Sequence, residues 1–447
     1  MFKFRDYQIE AINFGVDCLA KYKIVRLNMK QRLGKTFTAL GIAQALGAKR
    51  VLFITKARRD VRKSIEDDYN TLSPPFELDI QSMDSIYNAP RFKQYGADKV
   101  NRVEAKAISR LVFPRELYQE YDLCIIDEVH NFKGNDGKKV KRVEIAKKLI
   151  SNLPQIHLTG TPTPEGWTGL YSQLSISQFS PFAKYRNFYE WAREFVDIRQ
   201  KKLYGGNLFN DYSRAKINKI EPLLKPFTLS YDESYANFNF SEVTEQIHMI
   251  ETPECLQKMM SDIVSYKMTT YMRKVITADT AVKQLGKLHQ LSSGHVIFSD
   301  DINESERIII SNFKIDYIRK NILPKHKKLA IFYKYVNELE QLKTLPNTTT
   351  DAYEFEESEQ AIFLGQFVSS REGVKLSTAD AMVFYNLDFA FVSFEQAKSR
   401  FQHQSRQTEP ILHLLFTTHG IEQKIYEALK KKKTYDTRWF RKDCLRK

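Results

Sequence analysis

Ile24-Val-Arg-Leu-Asn-Met-Lys-Gln-Arg-Leu-Gly-Lys-Thr36 joins a short apolar run to a glycine-lysine-threonine triplet. The run at 24–27 reads as a buried strand, and the residues from the triplet through Leu46 read as a helix. That context suits phosphate binding. Backbone N–H groups at a helix start cradle phosphate oxygens, Lys35 can reach the β and γ oxygens, and Thr36 can hold Mg²⁺. Gly34 lets the backbone approach closely. The stretch departs from G-x-x-x-x-G-K-[S/T] because Met29 stands where the first glycine belongs. Such a triplet means little by itself; its weight comes from the strand before it, the helix after it and partners further along the chain.

Outward from this loop, short runs rich in Val, Ile and Phe recur at 51–55, 123–127 and 156–159. After a long gap they resume at 329–333, 361–367, 381–387 and 411–416. Continuous apolar runs of this length mark strands buried on both faces, and the helical stretches between them imply an α/β architecture with parallel sheets. Two clusters of strands in 447 residues predict two similar lobes. The expected organisation is a first lobe over 1–165, a mainly helical accessory region over 166–310, a second lobe over 311–429 and a basic tail over 430–447. Within the accessory region, Lys201-Lys-Leu-Tyr-Gly-Gly-Asn-Leu-Phe209 reads as a hairpin turning at Gly205-Gly206. It is either an ordinary surface hairpin or a basic, aromatic projection that touches nucleic acid strands through Lys202 and Tyr204.

Leu123-Cys-Ile-Ile-Asp-Glu-Val-His130 is an apolar strand ending in two acids and a histidine. The carboxyl edge of a parallel sheet is where α/β proteins place ligands. There Asp127 suits Mg²⁺, opposite Thr36, and Glu128 suits polarising the water that attacks a γ-phosphate. His130, placed beside them, suits a coupling role. Leu158-Thr-Gly-Thr-Pro-Thr-Pro164 also follows a strand, and the hydroxyls of Thr159 and Thr161 could report the nucleotide state. Taken alone it is an ordinary turn.

These pieces, in this order, resemble superfamily-two helicases, from Phe4 to about Leu429. Phe4-Arg-Asp-Tyr-Gln8 resembles the motif whose glutamine reads the adenine edge, which implies nucleotide contacts from Arg5, Tyr7 and Gln8. Arg32-Leu33-Gly34-Lys35-Thr36 resembles motif I, Asp127–His130 a DExH-type motif II, and Thr159-Gly-Thr-Pro162 motif III. Ser369-Ser-Arg-Glu-Gly-Val-Lys-Leu-Ser-Thr-Ala-Asp380 resembles motif V, bringing Gly373 and Asp380 to the nucleotide. Gln396-Ala-Lys-Ser-Arg400 begins motif VI, where Gln396 would couple the lobes. The family's second arginine of motif VI falls here on His403. Arg406 is therefore the expected arginine finger, with Arg400 in support. The resemblance implies two RecA-like lobes closing on one ATP, with Lys35 and Glu128 catalytic.

The Thr-Gly-Thr-Pro turn is similar to that of the DNA-directed groups. Gln284-Leu-Gly-Lys-Leu-His289, Gln407-Thr-Glu-Pro and Gly420-Ile-Glu-Gln-Lys-Ile-Tyr426 resemble the Swi/Snf-type branch. The small size and clipped motif I resemble a phage-encoded, branch-migrating member. By the same resemblance, DNA would run past Lys56, Ser82, Lys334, Ser369 and Ser370, held by its phosphates without base specificity.

Composition agrees with a polyanionic partner. Sixty-nine Lys and Arg against 54 Asp and Glu leave a charge of +15 and a pI near 9.3. Charge by itself does not separate DNA from RNA or from an anionic membrane. The four cysteines are scattered, so neither a zinc site nor a disulfide framework is expected. The first residues carry charge where a signal peptide needs an apolar core, and no apolar run approaches about 18 residues. A cytoplasmic monomer or weak oligomer is expected, in the host cytoplasm if phage-encoded. The tail holds nine basic residues with Tyr435, Trp439 and Phe440 interleaved. It reads either as a solvated end or as a surface that stacks on bases. The favoured function is an ATP-dependent DNA helicase that remodels forks or junctions in replication, recombination or repair. A duplex translocase that leaves strands paired and a non-catalytic nucleic-acid clamp stay open as alternatives.

Overall fold

The computed structural model describes residues 3–30, 33–56, 59–83, 118–132, 141–163, 166–202, 208–232, 243–299, 305–367, 376–401, 409–431 and 433–445. The chain divides into two compact units, Met1–Phe238 and Asn239–Lys447.

The first unit is built on six parallel strands. They are β1 (Ile24–Met29), β2 (Arg50–Thr55), β3 (Glu77–Ser82), β4 (Leu123–Ile126), β5 (Gln155–Thr159) and, after the hairpin of β6 (Arg199–Lys202) and β7 (Leu208–Asp211), β8 (Thr228–Tyr231). Their order is β3-β2-β4-β5-β1-β8. Because every neighbouring pair in this sheet is parallel, the strands' carboxyl ends share one edge. Helix α1 (Asp6–Tyr22) buries Gln8, Ala11, Ile12, Gly15, Cys18 and Leu19, the three- and four-residue spacing of one helix face. It packs on α2 (Lys35–Ala45) at very short range: a Cβ on Gly15 would meet Ile42, and one on Gly41 would meet Ile12. That close approach sets the position of the first turns of both helices. Further along, Trp191 is fully buried among Tyr171, Phe182, Phe188 and Phe195, with ring centroids 5.4–5.7 Å apart.

The second unit repeats the plan. Strand β9 (Thr244–Ile250) is followed by the hairpins β10–β11 (Met268–Tyr271 and Lys274–Thr277) and β12–β13 (His295–Ser299 and Ser305–Ile309). Then come β14 (Lys328–Tyr333), β15 (Thr348–Thr349), β16 (Ala361–Gln366), β17 (Ala381–Phe384) and β18 (Ile411–Thr417). The order β15-β16-β14-β17-β18-β9 is again parallel throughout.

All eight apolar runs of the sequence are strands here, and they are the four central strands of each sheet. The two strands that flank each centre, β3 and β8 in one sheet and β15 and β9 in the other, carried no such run. An edge strand is half-exposed and needs no continuous apolar sequence; β9 leaves Ile247 and Met249 half-exposed.

The stretch 166–310 contains the expected helices, Leu170–Leu174, Phe188–Phe195, Ile217–Leu224, Glu254–Tyr266 and Ala281–Leu291, accompanied by three antiparallel hairpins. It does not form a body of its own. Its first part ends in β8 of one sheet and its second part begins with β9 of the other, so the contacts divide the chain at 238/239 rather than at 165 and 310. The hairpin expected near 201–209 is β6–β7, and its tip, with Gly205-Gly206, lies outside the described residues.

The basic tail departs from expectation. Tyr435 and Phe440 are buried in the core of the second unit, and Trp439 packs against it beneath Lys433 and Lys442. The rings of Tyr435 and Phe440 are therefore not available to stack on bases. Among the described residues, no helix is long and apolar enough to cross a membrane.

Candidate nucleotide site

Strand β1 ends at Met29, which is fully buried and paired with Tyr231 of β8. Its backbone is not left-handed, so the position tolerates a side chain where the usual motif has glycine. Gly34, by contrast, has φ +72° and caps α2. A Cβ there would lie 2.3 Å from Gln8 Nε2. Glycine is required twice over, by conformation and by contact. The first turn of α1 braces the loop from this side. Gln8 Oε1 accepts from the Arg5 N–H at 3.0 Å, and the Tyr7 hydroxyl donates to the Leu33 carbonyl at 3.1 Å. Gln8 is buried against the loop that precedes Lys35. Arg32 lies outside the described residues.

The acids follow β4, two positions from β1 in the sheet, with β5 between them. The Asp127 N–H donates to the Ile54 carbonyl at 2.8 Å, extending the β2–β4 ladder. The Asp127 carboxylate accepts from the Thr55 hydroxyl at 3.3 Å and from the Glu128 N–H at 2.9 Å. Glu128 is left-handed, with φ +46°, a conformation uncommon for a side chain of this type and frequent at functional turns. Its Oε1 accepts from Lys35 Nζ at 3.1 Å, and its Oε2 lies 3.1 Å from His130 Nδ1. That same ring nitrogen is 3.0 Å from Thr159 Oγ1 and 3.5 Å from Thr161 Oγ1. One ring nitrogen cannot bond three oxygens at once, so His130 can exchange partners between Glu128 and the turn after β5. The Thr161 N–H fixes that turn by donating to Thr159 Oγ1 at 3.1 Å. Burial alone would push the Glu128 carboxyl up, but Lys35 and His130 outweigh it and hold the group well below the usual carboxylate range. Glu128 is therefore an ion at neutral pH.

Lys35 donates no other hydrogen bond among the described residues, so two of its three N–H groups have no protein acceptor. Lys35 opens α2, and the amino end of a helix favours anions through its first-turn N–H groups and its dipole. Thr36 and Asp127 offer a hydroxyl and a carboxylate, the donor types that suit a hydrated Mg²⁺ shared with phosphate oxygens.

Two contributors were not legible in the sequence. Arg26, inside β1, is fully buried; its Nη2 donates to Gln173 Oε1 at 2.7 Å and to the Pro162 carbonyl at 3.3 Å. Gln173 Nε2 also donates to Pro162 O, at 3.1 Å. The turn 159–162 is thus tied to the strand that leads into the phosphate loop. Burial lowers the Arg26 guanidinium to about 10, leaving it charged, and burial together with Arg26 lowers the facing His157 to about 3. A charge inside the run Ile-Val-Arg-Leu was the available signal.

In the second unit, Asp380 does not join the nucleotide set. It precedes β17 and accepts from the N–H groups of Lys327 and Lys328, both at 2.8 Å, at the amino edge of the sheet. A clamp at that edge lies across the sheet from the strands' carboxyl ends, where ligands bind. Gln396 is buried, and Arg400 ends the helix Phe391–Ser399. Gly373, Ser369, Ser370, His403 and Arg406 lie outside the described residues. Among the expected DNA contacts, Lys56 follows β2 and Ser82 ends β3, both at the edge that carries Asp127. Lys202 ends β6, and Tyr204 is not described. Lys334 is largely buried, paired with Asp388 at 2.7 Å and lying 3.6 Å from the Phe389 ring centroid. Its charge is matched within the unit, which leaves little for a phosphate.

Comparison with known proteins agrees with this geometry. The family model described as type III restriction enzyme, res subunit, matches residues 1–164, and that described as SNF2-related domain matches residues 114–295. The likeness is to Swi/Snf-type superfamily-two motors. A probable ATP-dependent DNA helicase of Arabidopsis thaliana, CHR23, is 22% identical over 348 residues, 71% of this chain and 32% of that protein. The RNA polymerase-associated protein RapA of Vibrio cholerae is 25% identical over 126 residues, 26% of this chain and 13% of that protein. The match thus spans no more than about a third of either relative's length.

Proposed function

We propose that this protein hydrolyses ATP to move along DNA. The observation that carries the reading is the constellation of Lys35, Glu128, His130 and Thr159 on one sheet edge, at the amino end of α2. Phosphate oxygens bound at that helix end offer Lys35 a stronger partner than Glu128. Lys35 turns to them, and the Glu128 carboxylate is left to orient and deprotonate the attacking water. Thr36 and Asp127 would hold Mg²⁺, which when bound would supply positive charge to the phosphates. His130, released from Glu128 or bound to it, transmits the change to Thr159 and Thr161 and so to the Arg26–Gln173 anchor. Arg406, with Arg400, is assigned as the finger that completes the site. Movement on DNA with strand separation or branch migration, serving replication, recombination or repair, is the finer form of this proposal.

A second reading, duplex translocation without strand separation, is favoured by the match to the SNF2-related domain. A forked duplex with one labelled strand separates the two: release of the strand supports a helicase, and triplex displacement without release supports a translocase. The shared core is tested by phosphate release with single strands, duplex, forks and four-way junctions. DNA should stimulate the wild-type chain. Lys35→Ala should lower hydrolysis by at least about a hundredfold while DNA binding persists. Hydrolysis by Lys35→Ala at the wild-type rate would sink the motor reading.

A further inference from the structure

The hairpin β10–β11 turns through only two residues, Met272 and Arg273, since Tyr271 pairs directly with Lys274. Both are left-handed, with φ +44° and +64°. Two-residue turns of this geometry favour Asn-Gly, Asp-Gly or Gly-Gly, because a Cβ is crowded there. Lys267, at the entry to the hairpin, is left-handed as well, with φ +60°. Three of the seven non-glycine left-handed residues among the described residues thus fall within 267–273. Strained backbone of this kind persists where the surroundings over-determine it.

The surroundings do so here. Thr269 and Ile276 face inward and are buried, while Lys274 pairs with Glu306 of β13 and lies over the Phe298 ring of β12. The hairpin is fastened on that side. On the other side Met268, Thr270, Val275 and Thr277 are exposed, and the tip holds out Met272, the most exposed large hydrophobic side chain among the described residues, at 75%. Arg273 and Lys267 have no ion-pair partner among the described residues. The hairpin itself, residues 267–274, carries Lys267, Arg273 and Lys274 and no Asp or Glu.

We propose that this hairpin is a DNA contact: Met272 presses as an apolar wedge between bases at a strand junction, and Arg273 grips the adjacent phosphate. An apolar side chain held rigidly beside an unmatched cation suits unstacked bases flanked by phosphates. An excess of cations disfavours a basic or neutral protein surface as the occupant. The inference rests on the reading of the protein as a DNA motor.

The test is the full chain carrying Met272→Asn together with Arg273→Gly. Asn-Gly is a preferred pair for this turn, so the variant should keep the hairpin and melt ~2–4 °C higher. It should bind forked DNA about tenfold more weakly and should not raise the fluorescence of a 2-aminopurine placed at the fork. Met272→Leu, which keeps an apolar tip, should retain the fluorescence change. A double variant that melts at or above the wild-type temperature and still opens the fork like wild type overturns the hairpin proposal. So does a surface that captures a protein partner while fork binding stays unchanged. Absence of DNA-stimulated hydrolysis in the wild type would instead overturn the motor reading, so the two failures are distinguishable.

Discussion

Lys35–Glu128 in the first unit and Lys314–Glu422 in the second are both lysine–glutamate pairs set beside a parallel sheet, and they are built to opposite purposes. Lys314 Nζ donates to Glu422 Oε1 at 2.8 Å, to the Tyr385 carbonyl at 3.0 Å and to the Leu415 carbonyl at 3.3 Å. Its three donors are all matched, the Thr417 hydroxyl also bonds the Glu422 carboxylate, and both charged side chains are wholly buried. Among the described residues Lys35 has one acceptor, at 3.1 Å, and the pair retains a tenth of its exposure. A fully satisfied buried pair holds a unit together, and separating it strands a charge. A pair with unmatched donors at the rim of a sheet can change partners when an anion arrives. Satisfaction of the donors, rather than residue type, separates a structural pair from a working one.

The largest effect that would break this contrast is on stability. Lys314→Ala should lower the unfolding free energy by about 3–5 kcal/mol in denaturant titration, because Glu422 is left buried and unpaired. A loss under about 1 kcal/mol would show that the closed pair holds nothing.

Acid comes next. His157 in the first unit and His413 in the second are both lowered to about 3, His157 by burial and Arg26, His413 by burial, His248, His326 and Lys325. Their folded values lie below the unfolded value near 6.5, so the unfolded chain binds more protons between about 3 and 6.5 and stability falls as pH drops through that window. Going from pH 7 to pH 5 should cost about 2 kcal/mol for each group, and His157→Gln or His413→Gln should flatten its own share of the slope. A slope unchanged in both variants would place the acid sensitivity elsewhere.

The smallest expected shift is the counterpart of the first. Lys35→Ala should lower the unfolding free energy by about 1–2 kcal/mol, less than Lys314→Ala because His130 stays beside Glu128, while ending hydrolysis. A change as large as that of Lys314→Ala would erase the distinction between the pairs.

How much of this was legible beforehand differs residue by residue. Asp127, Glu128 and His130 follow a four-residue apolar strand, and Gly34-Lys35-Thr36 follows another, so local order alone puts them on one edge of the sheet. Asp380 lay in an equally suggestive motif yet sits at the opposite edge, because the bonds it makes to Lys327 and Lys328 come from another strand's start. The tail read equally as a solvated end or as a stacking surface, and Tyr435 and Phe440 lie in the core instead. Interleaved charge and aromatics do not say which side faces inward.

The sequence by itself determined the central strands of both sheets and the contents of the phosphate loop. A strand buried on both faces must be continuously apolar, and a phosphate cradle needs a glycine and a lysine at a helix start; both are local requirements. The tertiary structure alone decided the edge strands, Gln8 against Gly34, Arg26 behind the turn at Pro162, and the closure of Lys314 on Glu422 from 108 residues away. In each of these the partner comes from a distant part of the chain, and whether a buried charge is satisfied or left ready for a ligand depends on that partner.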